Sequence, residues 1–282
     1  MIKADLHLHS TASDGVYAPG EVAARAARLG FTHIALSDHD SVKGIPEARA
    51  AAKRLGIRLI PAVELSCGAG SEIHVLGYGF RPEDSTLSDF FAERSAQRIR
   101  RAEEMVERLC RIGKPISMER VRALAGGVIA RPHIARALVE AGHASSVPDA
   151  FARFLSPGKP GYVPKAHISV AEAAAIIGQA GGLAVLAHPM EMKKGEMAIE
   201  ALVHEWRGQG LAGLEVYHPS AQNNHAAFLL ALARREGMLV TGGSDFHGET
   251  VRRTEIGDGL DRWRTMDSDM QALLAQIEGS NR

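Results

Sequence analysis

Short apolar runs alternate along this chain with stretches in which apolar residues return every three or four positions, marking buried strands and amphipathic helices respectively. Strands are expected at IKADLHLH (2–9), HIALSDHD (33–40), IRLIPAVEL (57–65), EIHVLGYGF (72–80), LAVLAHP (183–189), GLEVYHP (213–219) and MLVTGGSDFH (238–247). Helices are expected at PGEVAARAARLG (19–30), IPEARAAAKRLG (45–56), SVAEAAAIIGQAGG (169–182), near 196–209 and from about 222 to 236. Pro19 suits a first helical turn and Gly30 a C-terminal cap. About seven strands, mostly separated by helices, argue for an α/β fold with a parallel sheet.

Between 83 and 167 the strand rhythm stops. A long charged helix is expected at about 83–112 and shorter ones near 117–124, 131–142 and 147–154, before the glycines and prolines of SPGKPGYVPK (156–165). The expected organisation is one α/β unit formed by 1–82 and 168–282, with 83–167 inserted as a helical, substrate-capping domain.

Composition narrows the possibilities. The 282 residues, 45% of them hydrophobic, suffice for one large core and an insertion. Lys plus Arg equal Asp plus Glu at 33 each, so no bulk field draws in polyanions and any anion is held locally. Without a leader or an apolar run long enough to span a bilayer, a cytoplasmic protein with no membrane association is expected. Cys67 and Cys110 form no CxxC pair and read as packing residues. No protein partner is implied.

The first strand carries the chemistry. Asp5, His7 and His9 stand at every second position and so share one face, while Ile2, Ala4, Leu6 and Leu8 take the other. Potential ligands also close or occupy the later strands: Asp38 and His39, Glu64, His74, His188, His218, then Asp245 and His247. A single histidine closing a strand is more often a hydrogen-bonded cap than a ligand. Structural histidines would scatter, however, whereas these gather at strand ends, where parallel barrels and open sheets build their functional face. Imidazole and carboxylate without thiolate suit catalytic zinc, manganese or iron better than a closed structural zinc.

DLHLHS (5–10), SDG (13–15), SDHD (37–40), the Glu of VEL (63–65), His74, AHP (187–189) and SDFH (244–247) together resemble the PHP family, named for polymerase and histidinol phosphatase. The resemblance covers the chain apart from the insertion and the tail. It implies a distorted (β/α)7 barrel holding two or three divalent ions, manganese foremost with zinc or iron as alternatives, that hydrolyses phosphate esters. Carried over by motif, His7, His9, Glu64 and Asp245 form one metal site, Glu64 bridges to a second with His74 and His188, and Asp14, His39 and His247 form a third. Many relatives resemble one another in having histidine where this chain has Asp14, which implies a weaker third site. Water ionised at the metals would attack phosphorus in line. Asp38 and His218 are both candidates for the proton that the leaving oxygen needs, and Asp5 is expected to orient an imidazole from behind the ligands.

Substrate contacts are expected from elsewhere. RPHIARALVEAG puts Arg131, Pro132 and His133 at a helix N-terminus, where free N–H groups favour phosphate; the plain alternative is that Arg131 pairs with a carboxylate and His133 faces solvent. Lys159, Tyr162 and Lys165 could add a cation or a ring, and Asn223, Asn224 and His225 a helix start. The basic run Arg94, Arg98, Arg100, Arg101 and Arg108 is interleaved with Glu93, Glu103, Glu104 and Glu107, so a self-paired solvated face is a better account than an RNA track. RPHIA followed by GYVP resembles the branch of the family that holds nucleoside 3′,5′-bisphosphate phosphatases and 5′→3′ exoribonucleases. That implies a small nucleotide substrate losing its 3′-phosphate, such as adenosine 3′,5′-bisphosphate, with Arg131 and His133 gripping the other phosphate. Alternatives are exonucleolytic attack on short RNA, a histidinol-phosphate-type phosphatase, and a non-catalytic metal-stabilised module.

Overall fold

A computed structural model describes residues 2–68, 73–125, 129–249, 254–260 and 267–280. It divides into one unit of residues 1–88 and 167–282 and a second of 89–166, the first crossing lying inside a helix rather than at 82/83.

In the first unit seven strands form one sheet in chain order: β1 (Ala4–Leu8), β2 (His33–Leu36), β3 (Arg58–Cys67), β4 (Ile73–Tyr78), β5 (Leu183–Leu186), β6 (Gly213–Tyr217) and β7 (Leu239–Gly242). Glu72, placed in the fourth strand from the sequence, lies outside the described residues. Beyond β7 a bridge between Leu8 and Phe246, with His9 N–H donating to Phe246 O at 2.9 Å, brings the last segment back against β1 and nearly closes a distorted barrel. Gly243 permits the approach, since a Cβ there would lie 2.1 Å from the Cβ of His7.

The sheet is mixed, which corrects the parallel expectation. β4 runs antiparallel to both β3 and β5, while the remaining neighbours are parallel. The reason is chain length: a parallel crossover needs a dozen or more residues, and only the short stretch between Cys67 and Ile73 joins β3 to β4.

Helices flank this sheet: α1 (Pro19–Arg28), α2 (Ile45–Leu55), α7 (Val170–Gln179), α8 (Glu196–Gly208), α9 (Asn223–Arg235) and α10 (Asp267–Ser280). Their ends follow local chemistry. Ser169 and Glu172 form a reciprocal capping box on α7, with Ser169 N–H donating to Glu172 at 2.7 Å and Glu172 N–H to Ser169 Oγ at 3.1 Å. Every residue of β1 is buried, on the ligand-bearing face and on the leucine face alike. Leu6 and Leu8 lose all exposure, each contributing roughly 1.5–3 kcal/mol of burial. The helix α10 was not expected from the sequence; Met270, Leu273 and Ile277 form its buried face, and it packs on β7.

The second unit has its own core. The long α3 (Ser85–Arg111) enters it from the first unit, followed by α4 (Met118–Ala125), α5 (Arg131–Glu140) and α6 (Val147–Ala150), which runs into a π-helical turn, Phe151–Leu155. Met105, Leu109, Val121, Ile134, Leu138 and Leu155 are fully or almost fully buried there. The charged face of α3 pairs largely with acids: Arg100 with Glu93 at 2.6 Å, Arg108 with Glu104 at 2.7 Å and Arg111 with Glu107 at 2.9 Å. Cys67 is buried as expected of a packing residue, but Cys110 is exposed on α3. No helix among the described residues is long and apolar enough to cross a membrane.

Candidate metal centre

The ligand-capable side chains meet at one end of the barrel. His7 lies in β1, His9 and His39 follow β1 and β2, Glu64 sits in β3, His188 and His218 follow β5 and β6, and Asp245 and His247 follow β7. His74 reaches the same end because β4 is reversed, so the beginning of that strand lies where the others finish. Two of these residues hold left-handed backbone conformations without being glycine: His188 at φ 27° and Asp245 at φ 53°. Such conformations cost of order 1–3 kcal/mol and persist where the surroundings impose them.

Glu64 is the hub. Its Oε1 lies 2.8 Å from His74 Nδ1 and 2.9 Å from His188 Nε2. Its Oε2 faces His39 Nδ1 at 3.1 Å, His7 Nε2 at 3.2 Å and His9 Nε2 at 3.3 Å. Asp245 Oδ1 stands 3.1 Å from His9 Nε2 and 3.4 Å from His7 Nε2. Among the described residues four sets of ligand atoms are close enough to hold a cation: His7, His9, Glu64 and Asp245; His39, Glu64 and His74; His9, Asp14, His39 and His247; and Glu191, His218 and Asp245.

The direction of the lone pairs tests whether a metal fits. His7 Nε2, both nitrogens of His9, His39 Nδ1, His247 Nε2 and Glu64 Oε2 are buried, yet none makes a hydrogen bond among the described residues although opposite groups lie within 3.1–3.4 Å of several of them. Within each set the atoms lie within 4.8 Å of one another, as ligands around an ion do. Buried polar atoms without partners cost about 1–3 kcal/mol each, which a coordinated cation would remove. The donor set therefore fits one or more divalent ions.

Groups behind the ligands orient them. His7 Nδ1–H donates to Glu215 Oε1 at 2.9 Å, which leaves the Nε2 lone pair for the centre, and Glu215 Oε2 accepts from His188 N–H at 2.8 Å. His247 Nδ1–H donates to the Asp245 carbonyl at 2.8 Å, turning its Nε2 toward Asp14. Glu191 stands behind His188 at 3.7 Å. Sequence reasoning missed Glu215 and Glu191. Glu215 could have been found, because a carboxylate between Leu214 and Val216 in an apolar strand needs a partner. Replacing Glu215 with Gln leaves one oxygen for two N–H donors; divalent-metal affinity should fall about tenfold to a hundredfold with the fold retained, measured by chelator competition.

Asp5 takes a different place from the one expected. Its oxygens accept from His7 N–H, Ser244 N–H, Ser244 Oγ–H and Gly257 N–H, at 2.6–3.2 Å, so it ties down backbone around the centre and Glu215 carries out the imidazole-orienting task. Burial, only partly offset by those bonds, lifts the Asp5 pKa to about 6. Asp38 accepts from Ser10 N–H and Ser13 Oγ–H, each at 2.7 Å, and from Ser10 Oγ–H at 2.8 Å, so both its oxygens anchor the 10–14 loop. Burial raises its pKa against those bonds.

Electrostatics divides the imidazoles. Burial disfavours charge on all of them, but at His7 the carboxylates of Glu215, Glu64 and Asp245 outweigh it and hold the ring well above its ordinary value. Burial is likewise overcome at His188 by Glu64 and at His247 by Asp14 and Asp245, and both stand above normal. Burial wins at His9, lowered to about 3, and at His39, also lowered. Burial alone would raise Glu64 and Asp245, yet the imidazoles, His7 foremost, hold both well below the usual carboxylate range.

The expected substrate residues are distributed over both units. In the second unit Arg131 opens α5 with its guanidinium 5.6 Å from the Phe151 ring centre and 5.7 Å from that of Tyr162, and no carboxylate pairs with it among the described residues. His133 Nδ1 accepts from Ala130 N–H at 3.1 Å and caps the same helix. Lys159 is exposed in the turn before Tyr162. In the first unit Asn224 is exposed in the opening turn of α9, with Asn223 and His225 beside it.

Comparison with known proteins agrees with this geometry. The PHP domain matches residues 5–142. A 5′-3′ exoribonuclease of Haemophilus influenzae is 36% identical over 260 residues, covering 92% of this chain and 94% of its own. A 3′,5′-nucleoside bisphosphate phosphatase of Chromobacterium violaceum is 34% identical over 278 residues, 95% of this chain and 98% of its own. A solved structure from Bifidobacterium adolescentis, provisionally described as a metal-dependent phosphoesterase, superposes with a TM-score of 0.70 at 33% identity, covering 98% of this chain and 96% of that one. Sharing fold and sequence with such relatives over almost its whole length, and gathering metal-ligating groups at one end of its barrel, the chain belongs to the PHP family and is a phosphoesterase.

Proposed function

We propose that the protein hydrolyses the bond between the 3′-oxygen and phosphorus of 5′-phosphorylated nucleotides, acting on short RNA as a 5′→3′ exoribonuclease. The observation that carries this reading is nearly full-length similarity to an exoribonuclease and to a 3′,5′-nucleoside bisphosphate phosphatase at once. One bond reconciles the two. Breaking it at the first residue of an RNA releases a 5′-mononucleotide and leaves phosphate on the 5′-oxygen of the next residue, which becomes the new substrate; a 3′,5′-bisphosphate is the shortest version of the same molecule. The sequence alone favoured the phosphatase, whereas the slightly higher identity of the exoribonuclease, 36% against 34%, favours RNA first. Loss of the 3′-phosphate from nucleoside bisphosphates stands as the second reading.

In this reading His7, His9, Glu64 and Asp245 hold one divalent cation, Glu64, His74 and His188 a second, and Asp14, His39 and His247, with His9, a third; manganese is the metal proposed first. Such ions supply Lewis acidity to the phosphoryl oxygens and acidify the attacking water. His218 supplies a hydrogen bond to the departing oxygen. Ser220 N–H donates to its Nδ1 at 3.1 Å, so the neutral ring carries its hydrogen on Nε2, which is buried 3.6 Å from Asp245 Oδ2. A ring presenting N–H is a donor, not a ligand, although His218 stands within cation-holding distance of Glu191 and Asp245. As water oxygen bonds to phosphorus and the P–O3′ bond breaks, His218 Nε2–H would hydrogen-bond to the departing 3′-oxygen, and the proton given up by the attacking water completes its hydroxyl. Asp38, with both oxygens engaged by Ser10 and Ser13, serves the loop instead.

Arg131 and His133, with Lys159 in addition, are proposed as substrate-binding residues of the second unit, and Asn224 as one of the first. Arg101 supports an anionic guest beside Arg131: its Nε–H donates to Val163 O at 2.8 Å, and its pKa is lowered by burial and then by the like charge of Arg131. A panel of 5′-phosphorylated RNA, 5′-hydroxyl RNA, adenosine 3′,5′-bisphosphate and histidinol phosphate tests the function. The first and third should yield 5′-mononucleotides, and the other two should react slowly. Preference for histidinol phosphate, or indifference to the 5′-phosphate, would overturn the reading. Arg131→Ala should raise KM for 5′-phosphorylated substrates about tenfold to a hundredfold, the worth of a charged hydrogen bond, with kcat less affected; unchanged kinetics would remove Arg131 from the site.

A further inference from the structure

Of the residues in the group His9, Asp14, His39 and His247, Asp14 alone comes from the 10–17 loop, and its side chain is 55% exposed while that of His247 is 1% exposed. His9 and His39 follow β1 and β2 directly, and His247 follows the Leu8–Phe246 bridge. The geometry of this group therefore depends on how the loop is held against the segment 245–249. Ser10 and Ser13 fix one side of the loop through Asp38.

A second fastening ties the other side, and neither the proposed chemistry nor the ligand sets use it. Val16 N–H donates to His247 O at 2.9 Å. Tyr17 O–H donates to Glu249 Oε2 at 2.8 Å, and Arg25 Nη1–H, from α1, donates to Glu249 Oε1 at 2.7 Å. The Arg25 guanidinium also covers the Tyr17 ring at 3.7 Å, and that ring lies parallel to Phe246 with centres 6.1 Å apart. Gly248 shows how close the two segments run: at φ 113° it is in the left-handed region, and a Cβ there would lie 2.2 Å from Val16 Cγ2.

We propose that Glu249, clamped by Arg25 and Tyr17, is a positioning residue that sets the affinity of the third cation position by holding Asp14 in register with His247. The inference rests on the proposed cluster. The magnitudes point to position rather than stability. With its side chains 31% and 40% exposed, the Arg25–Glu249 pair belongs to a class worth about 0–1 kcal/mol. Ligands, by contrast, must be held within roughly 0.5 Å of productive geometry.

The test is calorimetric titration of metal-stripped protein with Mn²⁺, with bound metal counted after dialysis. Asp14→Ala identifies the step that belongs to the third position. Glu249→Gln, which keeps the shape but not the charge, should weaken that same step about tenfold or more and leave the tighter steps unchanged. Arg25→Ala should reproduce the effect, while the melting temperature of Glu249→Gln moves by about 4 °C at most. Unchanged third-step affinity in both Glu249→Gln and Glu249→Ala overturns the inference and leaves the cluster intact. Wild-type uptake of only two equivalents also overturns it, and wild-type protein that takes up no Mn²⁺ removes the cluster reading and this inference together.

Discussion

Glu64→Gln should bind at most one divalent ion per chain and lose at least about a thousandfold in kcat/KM, equivalent to roughly 4 kcal/mol of transition-state stabilisation. The expectation follows from the position of one carboxylate between five imidazoles, with His74 and His188 against Oε1 and His7, His9 and His39 against Oε2. An amide keeps the volume but withdraws the charge and turns an N–H₂ donor toward ring nitrogens whose lone pairs are needed. No other side chain described in the cluster can substitute, because Asp245 faces the His7, His9 and His218 side and Asp14 the His247 side. Metal counting after dialysis, with kinetics on the same sample, checks both halves. Full metal uptake by Glu64→Gln would remove Glu64 from the bridging role proposed for it.

Chelation should abolish phosphoesterase activity, and restoring Mn²⁺ should recover it with release of protons. The sign comes from the raised rings. His7, His188 and His247 are held above their ordinary value and so keep a proton to higher pH than a free imidazole does. Ligation requires a lone pair, so each such ring gives up its proton as the ion enters. Metal affinity must then climb as pH rises toward those raised values and fall as pH drops. His9 and His39 are already neutral, their values being depressed by burial, and release nothing. Titration near pH 7 in buffers of different ionisation enthalpy measures the effect, with up to one proton expected from each of the three raised rings. Heats independent of buffer would show that no ring is protonated before the metal arrives.

The motif positions carried most of the site because strand geometry is local. A two-residue repeat puts Asp5 and His7 on one face whatever surrounds them, and ligands at strand ends converge wherever a sheet curls on itself. The reversed β4 was legible in the short link between Cys67 and Ile73, though the expectation of a parallel sheet passed over it. The helix α10 was legible too, since Met270, Leu273 and Ile277 repeat at helical spacing behind an acidic first turn.

Partners far apart in the chain were a different matter. Nothing near His7 says that Glu215 will hold its ring, that Asp5 will bind Ser244 and Gly257 instead, or that Glu249 will meet Tyr17 and Arg25. His218 and Asp38 were equivalent candidates for the leaving oxygen in the sequence, and the proposal of His218 rests on contacts that only folding supplies: Ser220 N–H on its Nδ1, and the serines of the 10–14 loop on Asp38. The linear order of residues was enough to single out which side chains could bind cations and on which elements they stand, because strand periodicity and the motif resemblance both point to them. Which atom of each faces the centre, which proton it carries and what holds it in place came from packing, because hydrogen bonds and burial depend on neighbours that folding brings in from distant parts of the chain.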